Sequence, residues 1–114
     1  MKDNVTWISF ERSYLKRITE VDLYARVGYL VNSITEQTIE YTIDLRTDKN
    51  RVFMNCYYRA VNSEGIAMCI EKSLPLEVWT VDHEEDILNF DPYISGFTSN
   101  TLIAGKVLIE NMIK

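Results

Sequence analysis

The dominant pattern along the chain is alternation of apolar and polar residues with a period of two, the signature of strands with one buried face. Residues 5–10, "VTWISF", set Val5, Trp7 and Ser9 against Thr6, Ile8 and Phe10. Residues 21–31 place Val21, Leu23, Ala25, Val27, Tyr29 and Val31 on one face, and residues 38–46 do the same with Ile39, Tyr41, Ile43 and Leu45. The stretch 51–61, "RVFMNCYYRAV", also alternates, but both of its faces carry large apolar groups. Val52, Met54, Cys56, Tyr58 and Ala60 form one side; Arg51, Phe53, Asn55, Tyr57 and Arg59 form the other.

Turn chemistry then suggests how these strands join. "TDKN" (47–50) reads as a four-residue hairpin loop that sets Leu45 opposite Val52 and Tyr41 opposite Cys56. "NSEG" (62–65) reads as a tighter turn, setting Val61 against Ile66, Arg59 against Met68 and Tyr57 against Ile70. Segment 11–20 fits one helical turn or a long connection. "LEVWTV" (76–81), begun by Pro75, is a further strand. "DHEEDILNF" (82–90) has Asp82 as a cap and Glu85 three residues on, so it predicts a short helix over 83–90. Residues 91–100 read as loop, and 101–113 fit a strand or a helix, with a slight lean to a strand closing the sheet.

These elements predict a single mainly β domain over residues 1–114, an antiparallel meander of six or seven strands curled into a sandwich or open barrel. At 114 residues the chain can bury a core of its own without staples. With 46% hydrophobic and 25% charged residues, the composition is that of an ordinary globular protein. No apolar run approaches the roughly 20 residues of a spanning helix, so no membrane association is expected. The N-terminus does not read as a secretory signal, which places the protein in the cytoplasm. Cys56 and Cys69 lie in apolar contexts without a close-spaced motif and are read as reduced, packed thiols.

Charge changes the picture of partners. The net charge is −5, but residues 1–60 are +1 and residues 61–114 are −6. An acidic half disfavours clasping of nucleic-acid backbones and suits docking to a partner with a basic surface.

Catalytic templates are missing. The chain has one histidine, His83, and four glycines that never cluster, so His-rich zinc sites and glycine-rich phosphate loops are excluded. The acidic run at 82–86 lacks the glycine and the distant glutamate of a calcium loop. No cofactor, metal or enzymatic activity is therefore expected. The aromatic and basic residues of 51–59 share only Arg51, Phe53 and Tyr58 with the RNA-binding strand pattern.

The functional expectation is a small non-enzymatic binding module, such as an inhibitor, immunity-like or accessory protein, self-associating as a homodimer or higher oligomer. Its contact residues are taken as Arg51, Phe53, Tyr57, Arg59, Met68, Glu84 and Glu85. The alternative is a β-domain that binds a small ligand or single-stranded nucleic acid on its Phe53/Tyr57 face.

Overall fold

The computed structural model describes residues 5–81, 85–86 and 90–98. Strands and helices alternate: β1 (Thr6–Ser9), α1 (Arg12–Val21), β2 (Arg26–Val31), α2 (Glu36–Ile43), β3 (Arg51–Tyr57), α3 (Ser63–Glu71), β4 (Leu76–Trp79) and β5 (Ile94–Phe97). A 3-10 turn, Tyr58–Ala60, leads from β3 towards α3. The five strands form one sheet in sequence order, and every neighbouring pair is parallel. This overturns the antiparallel sandwich. The protein has a parallel α/β architecture, wound in one direction like a (β/α) barrel.

Two segments that alternate in the sequence are helices, and their caps explain why. Thr35 and Thr38 cap each other: the Thr35 hydroxyl accepts from the Thr38 amide at 3.1 Å, and the Thr38 hydroxyl accepts from the Thr35 amide at 2.8 Å. This capping box carries threonine where glutamate or glutamine is usual. Ile39 and Ile43, four residues apart, then share the inward face of α2. Likewise "NSEG" starts a helix. The Asn62 side chain accepts from the Gly65 amide at 2.7 Å, which makes Asn62 the N-cap of α3. Gly65 serves packing, since a Cβ there would lie 3.0 Å from the Ile34 side chain. "TDKN" does turn the chain, as the link from α2 to β3: the Asn50 amide oxygen accepts from the Thr47 N–H at 2.9 Å.

The helices pack on one face of the sheet. Leu15, Ala25, Val27, Leu45 and Val52 form one cluster; Val31, Ile39, Met54, Cys56, Cys69, Leu74 and Leu76 form another. A parallel strand followed by a right-handed crossover places each helix on the same side as long as the strand order does not reverse. The opposite face, here the inner face, carries Gly28, Leu30, Phe53, Asn55, Tyr57, Glu77 and Trp79, as the register requires. A bulge beside Leu76 and Glu77 brings Gly96 next to Glu77, where a Cβ on Gly96 would lie 3.0 Å from the carboxylate.

Segment 94–97, read as loop, is an edge strand. Of the helix expected over 83–90, only Glu85, Asp86 and Phe90 are described, with Glu85 and Asp86 helical. The segment 101–113 lies outside the described residues. Among the described residues no helix is long and apolar enough to cross a membrane.

Candidate functional site

In parallel α/β folds, ligands gather at the carboxyl ends of the strands, where the strand-to-helix loops converge. At that end the inner face carries an aromatic group. The Trp79 ring lies 5.2 Å from Tyr57 at an interplanar angle of 40°, and 5.6 Å from Phe10 at 85°. Its indole N–H donates to the carbonyls of Asn55 (3.0 Å) and Val31 (3.3 Å), which pins the ring across the ends of β2 and β3. Tyr57 meets Tyr58 edge-on at 5.7 Å. The Tyr58 hydroxyl donates to Asp86 at 3.2 Å, and the Arg59 guanidinium stands 5.0 Å over the Tyr58 ring. Desolvation, helped by the Asp86 carboxylate, raises the phenol above its ordinary pKa against the opposing pull of Arg59.

Beneath this mouth lies a polar layer. The Arg26 guanidinium sits 4.2 Å over the Phe53 ring and pairs with Glu77 across β3. Its other arm donates to Thr6 at 3.1 Å. Phe53 needs the glycine beside it: a Cβ at Gly28 would lie 2.2 Å from the ring. Above this layer Asn55 is only 1% exposed, and its side-chain oxygen has no hydrogen-bond partner among the described residues. A buried acceptor of this kind costs stability unless something else satisfies it.

The residues singled out from sequence do not form one surface. Phe53 is 2% exposed beneath Arg26, so it is no open stacking platform. Tyr57 is half-buried at the mouth, and Arg59 is exposed beside it. Arg51 is exposed at the amino end of β3, the opposite end of the sheet. Met68 sits on α3 and packs on the helix-side core, so it shares no face with Phe53. The pairing of Arg59 with Met68 fails because 63–71 is a helix. Glu85 is exposed, and Glu84 lies outside the described residues.

Sequence reasoning missed Phe10, Arg26, Gly28, Glu77 and Trp79. The available signal was the burial demanded on both sides of "RVFMNCYY", which belongs to a central parallel strand. Among the described residues no three His, Cys, Asp or Glu side chains converge on a metal-sized site. His83 lies outside the described residues.

No family model matches the chain, and no curated protein sequence does. Solved structures do match. A protein from Silicibacter pomeroyi assigned as a glycerophosphoryl diester phosphodiesterase superposes with a TM-score of 0.74 at 18% identity, over 98% of this chain and 40% of that one. A Galdieria sulphuraria protein assigned as a glycerophosphodiester phosphodiesterase gives 0.76 at 19% identity, over 97% and 46%. An Oleispira antarctica phosphodiesterase, solved with its product sn-glycerol-3-phosphate, gives 0.75 at 12% identity, over 91% and 41%. At these identities the likeness is one of fold. The chain spans less than half the length of each of these structures. The expectation of a non-enzymatic, inhibitor-like sandwich is overturned here, together with its alternative of a β-domain that binds a small ligand or single-stranded nucleic acid: the chain has a parallel α/β fold, matched by structures assigned as phosphodiesterases.

Proposed function

We propose that this chain forms part of the barrel of a phosphodiester-hydrolysing enzyme. The observation that carries this reading is the match of nearly the whole chain, whose five strands run parallel in sequence order, to structures assigned as phosphodiesterases. In this reading the five strands supply one wall of the barrel. Phe10, Tyr57 and Trp79 form an apolar rim at its mouth, against which the alcohol part of a phosphodiester packs, and Arg59 offers a cation near the phosphate. A rigid aromatic wall positions a substrate, while proton transfer needs groups this wall lacks. The acid–base chemistry is therefore assigned to the remaining part of the barrel.

The association expected from sequence moves with the fold. The large hydrophobics exposed among the described residues are, apart from Ile70, gathered in residues 5–24, on β1, α1 and the link to β2. Trp7, Tyr14, Ile18 and Val21 line a cleft of about 290 Å³ there, beside the edge of β1 that pairs with no other strand among the described residues. We assign this edge, in place of the Phe53 face, as the seam where the rest of the barrel joins. Two free, buried thiols support a reducing compartment such as the cytoplasm.

The test is hydrolysis of glycerophosphodiesters by the whole protein, followed by release of sn-glycerol-3-phosphate. Trp79→Ala should lower kcat/KM about tenfold, the worth of one well-packed ring contact. A folded whole protein that leaves glycerophosphodiesters intact would refute the reading.

A further inference from the structure

The end of the sheet opposite the mouth holds a second feature. A cavity of about 440 Å³ opens at the amino ends of β3 and β4, lined by Arg26, Arg46 and Arg51 together with Thr47, Asn50 and Ser73. Three arginines line it, from β2, the α2–β3 link and β3, in a chain whose net charge is −5. Among the described residues no carboxylate lines it.

The three arginines stand in different states. Arg26 is already answered by Glu77 and seated on Phe53. Arg46 is held in place by two carbonyls at the end of α3, donating to Lys72 at 3.1 Å and to Ser73 at 2.7 Å. Those bonds leave further N–H groups on the same guanidinium and keep its full charge. Arg51 is exposed and makes no ion pair among the described residues.

The surrounding backbone is fixed as well. The Thr47 hydroxyl oxygen accepts from the Lys49 and Asn50 amides, at 3.2 and 3.1 Å, so its own proton is free to donate. Asn50 closes the loop by donating to the carbonyl of Leu45, two residues beyond the end of α2, at 2.8 Å. Ser73 is the one non-glycine with a positive φ, 51°, among the described residues; this left-handed turn places its carbonyl against Arg46. A hydrogen-bonded loop, a left-handed turn at Ser73 and two arginines without a carboxylate partner among the described residues thus meet at this cavity.

We propose that this cavity binds the phosphate group of a small phosphorylated molecule, with Arg51 and Arg46 as its two cationic arms and Thr47 as a hydroxyl donor. Guanidinium forks match tetrahedral oxyanions in a bidentate manner, which selects phosphate over chloride. The site is separate from the mouth and does not rest on the hydrolase reading.

The test uses the full-length protein and inorganic phosphate, titrated against sodium chloride at constant ionic strength. Binding to the folded state should raise the melting temperature in a saturable way and broaden the phosphorus-31 resonance. Arg51→Gln should weaken phosphate at least tenfold without altering the melting temperature in its absence, since the Arg51 side chain makes no hydrogen bond or ion pair among the described residues and its backbone bond to Ala25 is kept. Arg51→Lys, which keeps the charge and loses the fork, should fall between the two and serves as the deciding variant if Arg51→Gln melts early. The charge control Arg12→Gln should bind as the wild type does. Non-saturable behaviour, or equal affinity in the wild type and both Arg51 variants, overturns the proposal. So does a loss seen in Arg59→Gln and absent from the Arg51 variants, which would put the anion at the mouth.

Discussion

The two faces of β3 are held by different physics. On the helix side Val52, Met54 and Cys56 meet Val27, Tyr29, Val31, Leu76 and Val78 in register, and the packing is apolar. On the inner side Phe53, Asn55 and Tyr57 meet Gly28, Glu77 and Trp79, held by a cation–ring contact, an ion pair and indole hydrogen bonds. The helix side is closed by the protein's own helices. The inner side leaves the Asn55 side-chain oxygen without a partner among the described residues. One face therefore stabilises the fold, and the other is built to hold groups in place.

The largest effect should come from the apolar face. Met54 is fully buried between β2, β4 and the helices, so Met54→Ala should cost about 2–5 kcal/mol in urea unfolding. A loss below about 1 kcal/mol would mean that this layer collapses freely around the gap. Next comes the junction of sheet and ring. Gly28→Ala drives a methyl into Phe53, which Arg26 holds from above, and should cost about 1–3 kcal/mol. Adding Phe53→Leu should recover much of that loss; no recovery would locate the strain elsewhere.

The inner face should respond more weakly to loss of charge. Glu77→Gln removes the partner of a half-buried guanidinium and should cost about 1–3 kcal/mol. If polar positioning is the role of this face, Arg26→Met in the same background should restore part of the stability while disordering Phe53. Unchanged melting in Glu77→Gln would sink the contrast between the faces.

The smallest effect is silent at neutral pH. Burial raises Cys56 from 9.0 to about 12, with the nearby Cys69 adding to it, and burial raises Cys69 from 9.0 to about 11. Both thiols stay protonated in the folded chain while the unfolded chain releases its protons near pH 9. The folded state thus holds more protons in that window, and stability should fall as pH rises from about 9 towards 12. Cys56→Ala should flatten this slope in pH-dependent melting, and native thiols should resist Ellman's reagent at pH 8. Rapid labelling without unfolding would show that the helix side opens.

Segments that read as β1, β3 and β4 are strands, and β2 occupies the second half of its expected run, because β-branched and aromatic runs favour extended backbone wherever they pack. Segments 36–43 and 63–71 were misread for a specific reason. Each is only two turns long, and Ile39 and Ile43 satisfy a period of two and a spacing of four equally. Their caps, Thr35 with Thr38 and Asn62 with Gly65, carried the missing information, but the same residue types also make turns. Of the site, Tyr57 and Arg59 were legible as an aromatic–basic pair, whereas Trp79 and Phe10 join them only through strands distant in sequence.

The sequence by itself located the extended runs that become β1, β3 and β4, placed Cys56 in apolar surroundings, and put large groups on both faces of 51–57 without deciding what covers the second. Strand direction was decided by tertiary structure alone. A strand's side-chain pattern is the same whether its neighbour runs parallel or antiparallel. The choice rests on whether the connection is a hairpin or a helical crossover. Once α2 and α3 form, parallel pairing follows. It divides the residues expected to share one surface between the mouth, the inner layer, the helix side and the arginine-lined cavity at the far end of the sheet.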